Sequence, residues 1–184
     1  MTMTSQLHTP TPDLTVTHWT DALTDGTHVL IRPLQANDRE REFQFIKRLS
    51  PQTRHFRFLC TLNEPGEALL DQLMDVDYHK RMAYVALFME HGELTEIGVS
   101  RYAAADHDKT CECAVVVADG WQGRGLGRLL MKHLIDAARI NGFERMISVD
   151  SANNTDMHRL ARDLGFETQA DPLDMTQVVY TLQL

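Results

Sequence analysis

The residues best suited to do chemistry lie in a glycine-rich loop at 119–127, which follows an apolar segment and opens a helical pattern. Its glycines, Gly123, Gly125 and Gly127, lack the Cβ atoms that would keep an anion away from the backbone. The first amides of any helix have no internal partner and lie at the positive end of the helix dipole. The loop is therefore predicted to bind a phosphate or pyrophosphate, and Arg124 and Arg128 can add charge-assisted hydrogen bonds.

Two familiar phosphate-binding motifs fit this loop poorly. A Walker loop ends in Gly-Lys-Ser/Thr, whereas this chain has Gly127 followed by Arg128 and Leu129. A dinucleotide-binding fingerprint needs a third small residue where Leu130 stands, although Asp150 does lie at the position of a ribose-binding acid. One further strand–helix unit follows the loop, and a dinucleotide-binding domain needs more parallel strands than that.

The segment QGRGLG at 122–127 resembles the Gln/Arg-x-x-Gly-x-Gly/Ala motif of the GNAT superfamily of N-acetyltransferases. The preceding strand, the Asp-Gly-Trp turn and the downstream segment at 154–166 are also similar to that family, and the resemblance spans residues 27–184. It implies an α/β fold with a mixed α+β sheet, the GNAT acyl-CoA N-acyltransferase fold. Antiparallel strands then form the N-terminal half and strand–helix units the C-terminal half. The resemblance also implies acetyl-CoA as co-substrate.

The resemblance assigns a set of residues to coenzyme A. In the family the loop holds the pyrophosphate, which here implicates Gln122, Gly123, Arg124, Gly125, Leu126, Gly127 and Arg128. Val115 and Val117 match strand positions whose backbone groups pair with the pantetheine arm, and Asn154 matches an asparagine near the pantetheine and the thioester. From the residues alone, the valines fit a core equally well and Asn154 fits a helix N-cap.

A finer resemblance is to bacterial protein lysine acetyltransferases of the Pat type and their stand-alone relatives. It rests on the segment RHFRF at 54–58 and on CECAVVV at 111–117. The glutamate of that strand is the catalytic base in the Pat-type pattern, which implies this role for Glu112. Acetylation of an amine needs a base, because an alkylammonium with a pKa of about 10.4 is almost entirely protonated at pH 7. A surface glutamate paired with lysine or arginine is the structural alternative.

One position departs from the family pattern. The family often places a tyrosine four residues before the Gly-Phe pair, where it protonates the leaving thiolate, and this chain has Ala161 there. Whether a general acid exists is therefore open. A thiol with a pKa of about 8.5 is a tolerable leaving group without one.

Composition narrows the class of protein. The 184 residues suit one domain, predicted at 15–184 behind a flexible tail at 1–14. A formal net charge of −8 argues against nucleic-acid binding, which requires a basic surface. Three cysteines argue against a disulfide framework, and nothing completes a metal site with Cys111 and Cys113. Neither a membrane-spanning apolar run nor a secretory signal is recognised, which favours the cytoplasm.

Hydrophobic periodicity predicts the elements that position the loop. Strands are expected at 27–34, 82–89, 94–104, 111–118, 145–150 and 176–184. Helices are expected after Asn37 or Asp38, in two pieces within 53–73, after the glycine-rich loop, and after Asn153 or Asn154. Turns at 91–93 and 106–109 join three of the strands into an antiparallel meander.

Together these observations predict an N-acetyltransferase that moves the acetyl group of acetyl-CoA to a primary amine, either a protein lysine or a small amine. The alternative is a non-catalytic acyl-CoA-binding sensor, which would keep the loop and lack a productive base. Neither nucleic acid nor a membrane is an expected partner. The sequence does not identify the acceptor, and it leaves a homodimer open.

Overall fold

The computed structural model describes residues 18–105 and 109–184. The predicted tail at 1–14 and most of the predicted turn at 106–109 lie outside these residues. The strands are β1 (Trp19–Ala22), β2 (His28–Pro33), β3 (Arg81–Glu90), β4 (Glu93–Ala104), β5 (Thr110–Val117), β6 (Arg145–Ser151), β7 (Glu167–Ala170) and β8 (Gln177–Gln183). The α-helices are α1 (Arg39–Arg48), α2 (Pro51–Phe58), α3 (Glu67–Met74), α4 (Leu126–Ile140) and α5 (Thr155–Asp163).

The strands form one sheet in the order β1-β2-β3-β4-β5-β6-β8-β7. Neighbouring strands are antiparallel except for β5 and β6, which are parallel. The predicted meander is confirmed, because β3 pairs with β4 and β4 with β5 in antiparallel registers. The parallel pair arises since α4 carries the chain back across the sheet between β5 and β6.

Helices cover both faces of the sheet. On one face α1 and α3 bury Phe45, Ile46 and Leu70 against the strands. On the other face α4 and α5 bury Leu130 and Met157 among the apolar residues of a second core. Within the described ranges, no helix combines the length and the apolar character needed to cross a membrane. The sheet between the two cores is therefore the platform on which the glycine-rich loop is mounted.

Two edge strands, β1 and β7, are not among the elements that the sequence predicts. β7 has the sequence ETQA with every residue exposed, so it lacks the apolar alternation that marks a strand. It becomes a strand by pairing with β8, as β1 does by pairing with β2 at the opposite edge. Such short edge strands depend on the backbone of a neighbour more than on their own residues.

Asp38 begins α1 as predicted, but its side chain does not cap that helix. Its buried carboxylate accepts hydrogen bonds from Arg32 at 2.6 and 2.8 Å and from the amide of Gln35 at 2.8 Å, and it also pairs with Arg41. Burial alone would raise the pKa of Asp38, but these contacts lower it below its ordinary value. The aspartate therefore fastens the start of α1 to β2 instead of capping the helix.

A second buried charge cluster lies between α1 and β4. Glu42 accepts a hydrogen bond from Arg101 at 2.7 Å, and Glu96 is fully buried beside them. Neither carboxyl oxygen of Glu96 has a hydrogen-bond donor among the described residues, and neither does Oε2 of Glu42. Burial, reinforced by the charge of Glu42, raises the pKa of Glu96 well above its ordinary value. Glu96 therefore holds its proton more tightly in the folded protein than in the unfolded chain, and it can share that proton with Glu42.

Replacing Glu96 with glutamine is expected to stabilise the protein by about 1–3 kcal/mol at pH 8 and to change little near pH 5. A carboxyl group whose pKa rises on folding contributes stability below its unfolded pKa and loses it as the pH rises through its folded pKa. Glutamine still donates one hydrogen bond to Glu42 and has no proton to lose. Urea denaturation at the two pH values measures the difference.

Glu93→Gln is the matched control, because Glu93 lies exposed at the start of the same strand. It is expected to change the free energy of unfolding by less than about 0.5 kcal/mol at either pH. An equal gain from Glu96→Gln at both pH values would contradict the buried, proton-sharing pair, and so would a loss of stability at pH 8.

Candidate active site

The parallel strands β5 and β6 diverge within the sheet. They pair only from Thr110 to Glu112 of β5. Beyond that point β5 continues to Val117 and β6 to Ser151, each still paired with its outer neighbour. The divergence opens a wedge in the sheet, and the β5 side of the wedge can offer main-chain groups to an extended ligand as a strand edge does.

The glycine-rich loop lies at the end of β5 and leads into α4. Gly123 and Gly125 have φ angles of +71° and +86°, a conformation that favours glycine. No side chain caps the start of α4, whereas Ser50 caps α2 and Asn154 caps α5. Within residues 18–105 and 109–184, the amides of residues 123–128 have no hydrogen-bond acceptor. Amides without an acceptor at a helix N-terminus can donate hydrogen bonds to an anion such as a diphosphate.

The two arginines of the loop have different surroundings. Arg124 donates to Asp25 at 2.6 Å and to Thr27 at 2.8 Å, and its Cζ lies 4.3 Å from the ring centroid of Trp121. Arg128 is exposed and has no ion pair within the described part of the chain. The guanidinium of Arg128 is therefore available to a phosphate, whereas Arg124 can contribute mainly through its backbone.

Val115 and Val117 lie where β5 borders the wedge. Their side chains pack, partly buried, against the core beneath α4 and α5. A ligand in the wedge can therefore contact these valines through their backbone groups. The carbonyl oxygen of Val117 accepts a hydrogen bond from Nε2 of Gln122 at 3.0 Å, which holds the loop against the strand. At the start of α4, the side chain of Leu126 is buried and Gly127 lies close to Val117.

Helix α2 is fastened to the loop by its first turn. Asp119 accepts hydrogen bonds from the amide and hydroxyl of Ser50 at 2.8 and 2.6 Å, and from the hydroxyl of Thr53 at 2.7 Å. Burial alone would raise the pKa of Asp119, but these hydrogen bonds lower it below its ordinary value. Since α2 also packs against both β5 and β6, its far end reaches the region where the strands diverge.

A cavity of about 320 Å³ lies on this face of the sheet, lined by residues of α2, α3, β3, β4 and β5 and of the segment between α3 and β3. Glu112 lines it with an exposed side chain. Among the described residues, its carboxylate has no hydrogen bond and no ion pair, so the alternative of a glutamate held by lysine or arginine does not describe this site. A carboxylate in this setting can take a proton from a bound amine, directly or through water.

Arg57, near the end of α2, lines the same cavity and is half-buried. Burial and the neighbouring Arg101 lower the pKa of Arg57 to about 10. Nearby carboxylates, including those of Glu112 and Asp150, oppose this shift. Arg57 is therefore protonated at neutral pH, and it places a positive charge beside the predicted base.

Asn154 begins α5 at the end of the wedge. Its Oδ1 accepts a hydrogen bond from the amide of Met157 at 3.2 Å, which is the predicted N-cap. Its Nδ2 donates to both oxygens of Asp150 at 3.1 Å. Burial raises the pKa of Asp150, although hydrogen bonds from Asn154 and from the amide of Ser151 oppose the shift. Both polar groups of Asn154 thus have protein partners, and its contact with a cofactor stays a prediction.

Two further features limit the chemistry. Ala161 is completely buried in the core, so its position supplies no acid for a leaving thiolate. Cys111 and Cys113 are also buried, and burial raises the pKa of both thiols, that of Cys111 to about 12. Both thiols are protonated at neutral pH, which is not the state of a nucleophile.

Arg57 and Asp150 are not among the site residues predicted from the sequence. Arg57 belongs to the RHFRF segment that resembles the Pat type, so a signal was present. Local spacing could not show that it shares a cavity with Glu112, because the two residues lie on elements far apart in the chain. For Asp150, the only indication in the sequence is that an acidic residue lies at the end of a strand.

Comparisons with known proteins show the family and the fold of the chain. The model of the acetyltransferase (GNAT) family matches residues 38–166. Acetyltransferase PA5475 of Pseudomonas aeruginosa is 60% identical over 167 residues, which are 91% of this chain and 90% of that protein. Acetyltransferase Pat of Mycolicibacterium smegmatis is 32% identical over 142 residues, 76% of this chain and 41% of that protein. The chain therefore spans less than half the length of that second relative.

Solved structures share the fold. The GNAT domain of S. lividans PAT has a TM-score of 0.81 at 23% identity, over 91% of this chain and 97% of that chain. A cAMP-binding acyltransferase from Mycobacterium smegmatis has a TM-score of 0.62 at 25% identity, over 91% of this chain and 47% of that chain. The predicted mixed α/β fold is confirmed by these similarities. Together with the family match over residues 38–166, they show that the chain belongs to the GNAT family of acetyltransferases, which are acetyl-CoA-dependent acyltransferases.

Proposed function

We propose that the protein transfers the acetyl group of acetyl-CoA directly to a primary amine, with Glu112 as the general base. The observation that carries this proposal is the position of Glu112, whose carboxylate lines the cavity and has no partner among the described residues. Glu112 also forms the last pair of β5 with β6, opposite Ile147, before the wedge opens. An amine in the cavity and a thioester in the wedge would meet beside this residue.

Coenzyme A binding is assigned to the loop and to the wedge side of β5. The amides of residues 123–128 and the guanidinium of Arg128 would hold the diphosphate. The backbone of Val115 and Val117 would pair with the pantetheine arm as an added strand does. Gln122 supports this arrangement because it links the loop to the end of β5. Asn154 would lie near the thioester, where its cap also orders the start of α5.

The reaction needs no covalent enzyme intermediate. The amine nitrogen attacks the thioester carbonyl carbon, a C–N bond forms and the C–S bond breaks. Glu112 accepts the proton that the amine loses, and the departing thiolate takes a proton from water. At pH 7 only about one alkylamine in ~2,500 is unprotonated, so a positioned base is worth about 10²–10⁴ in rate.

The acceptor class is a second part of the proposal. The resemblance to Pat-type enzymes favours a protein lysine. A small amine is the other candidate, and the cavity volume of about 320 Å³ supports it, since pockets for small ligands begin near 300 Å³.

Isotope-labelled acetyl-CoA in a bacterial lysate tests both parts. The wild type should introduce label that Glu112→Gln does not. Label in protein supports a lysine acceptor, whereas label only in small molecules rejects it and identifies the amine by mass. If wild type and variant label the lysate equally while both bind acetyl-CoA, the proposed function is wrong and the acyl-CoA-binding sensor is favoured.

A further inference from the structure

Three arginines line the cavity, and two of them are already paired. Arg81 lies 3.3 Å from carboxylate oxygens of Asp75 and Asp77. Arg101 forms its ion pair with the buried Glu42 at 2.7 Å. Their charges are balanced within the protein, so neither needs a ligand.

Arg57 differs from the other two. Its guanidinium has no hydrogen bond and no ion pair within residues 18–105 and 109–184, and its Cζ lies 4.9 Å from the ring centroid of Phe58. A half-buried guanidinium loses part of its hydration, and no oxygen of the described residues replaces it with a hydrogen bond. Glu112 is in the same situation on the same cavity. The cavity therefore presents one unpaired positive and one unpaired negative side chain.

The position of Arg57 on α2 separates it from the diphosphate site. The first turn of α2 is bound to the loop through the contacts of Ser50 and Thr53 with Asp119. Arg57 lies at the other end of the helix, in the cavity with Glu112. A group that pairs with Arg57 therefore lies on the acceptor side of the site, not beside the loop amides.

We propose that the acceptor carries a carboxylate or a similar anionic group close to its amine, and that Arg57 binds this group while Glu112 takes the proton from the amine. This inference rests on the proposed function and adds the chemical class of the acceptor. Guanidinium and carboxylate match in charge and geometry, and they can form two parallel hydrogen bonds. A free amino acid and a protein lysine beside an acidic residue both present an amine close to a carboxylate.

Matched acceptor pairs test the proposal by steady-state kinetics. One pair is 5-aminopentanoate and pentylamine. The other is a blocked peptide whose lysine is followed by glutamate, and the same peptide with glutamine. In at least one pair, the wild type should show a kcat/KM about 10-fold or more higher for the carboxylate-bearing member. The difference should lie mainly in KM, because Arg57 binds the acceptor and does not react.

Variants assign the preference to Arg57. Arg57→Gln should bring the ratio within each pair close to one, and Arg57→Lys should keep part of the ratio. Arg81→Gln is the matched control: it removes a charge from the same cavity, but one that is already paired, so the ratio should persist. Thermal stabilisation by acetyl-CoA confirms that each variant is folded.

The outcomes distinguish a failure of this inference from a failure of the proposed function. A preference confined to the small pair indicates a free amine, and a preference in the peptide pair indicates a protein acceptor. Equal turnover within both pairs overturns the inference and leaves the proposed function standing, as does a preference that survives Arg57→Gln. Failure of the proposed function is recognised separately, because wild type and Glu112→Gln would then behave alike with every acceptor.

Discussion

Glu112→Gln is expected to lower kcat for amine acetylation by about 10²–10⁴-fold at pH 7 while leaving the affinity for acetyl-CoA nearly unchanged. The carboxylate lines the cavity without a protein partner, so its replacement breaks no ion pair or hydrogen bond within the described residues. The residual rate of the variant should rise about tenfold per pH unit from pH 7 to 9, because the free-amine fraction rises in that proportion. Stopped assays of free thiol release, with calorimetry for acetyl-CoA, measure the two quantities.

Asp75→Asn is the control for this variant. Asp75 is a second carboxylate on the same cavity, but it is paired with Arg81. Replacing Asp75 should change kcat by less than about threefold, because lining the cavity does not by itself make a carboxylate the catalytic base. A loss of acetyl-CoA affinity in Glu112→Gln, with kcat preserved at saturation, would assign Glu112 a structural role instead.

Gly125→Ala is expected to weaken acetyl-CoA binding by about 10–100-fold. Gly125 has a φ of +86°, and an added Cβ would lie 3.1 Å from Cγ2 of Thr24. The left-handed conformation costs a non-glycine residue roughly 1–2 kcal/mol, so the loop is expected to shift away from it. Because the amides of residues 123–128 are free to bind an anion only in the present geometry, a shift removes charge-assisted hydrogen bonds worth about 1.5–3 kcal/mol. Calorimetry with coenzyme A measures the affinity.

Gly142→Ala provides the matched comparison at the opposite end of α4. Gly142 has a φ of +83°, and an added Cβ would meet no atom within 4 Å. It should therefore lose a similar amount of stability from the left-handed conformation while keeping its affinity for coenzyme A. Equal loss of affinity in the two alanine variants would mean that general destabilisation, and not the loop amides, explains the effect.

The central part of the fold was predictable because its signals are local. The apolar residues of α4 recur at helical spacing, and the turn between β3 and β4 contains a glycine. In the loop, Gly123 and Gly125 have positive φ angles, as their residue type suggests. The edge strand β7 was not predictable, since its residues ETQA carry no strand pattern of their own.

The candidate site was predictable only in part, and the reason is again physical. The loop and Glu112 are contiguous with a recognisable strand, so their relative placement follows from the chain itself. The partners of polar side chains do not follow in this way. The predicted helix cap of Asn154 is confirmed. The carboxylate of Asp38, in contrast, accepts hydrogen bonds from Arg32 and from the amide of Gln35, because these donors surround it where it is buried.

By itself, the sequence determined the family to which the chain belongs and the order of the elements other than β1 and β7, and it predicted the glycine-rich anion site, because each depends on residue types at short spacing. Only the tertiary structure decided that β5 and β6 diverge after Glu112, that α2 lies over that opening, and that Arg57 has no acceptor among the residues that the structure describes. These features arise from packing between segments distant in the chain, where burial and competition among partners decide which charges are balanced. Arg81 and Arg101 have the same side chain as Arg57, and it is their neighbours in space that distinguish the three.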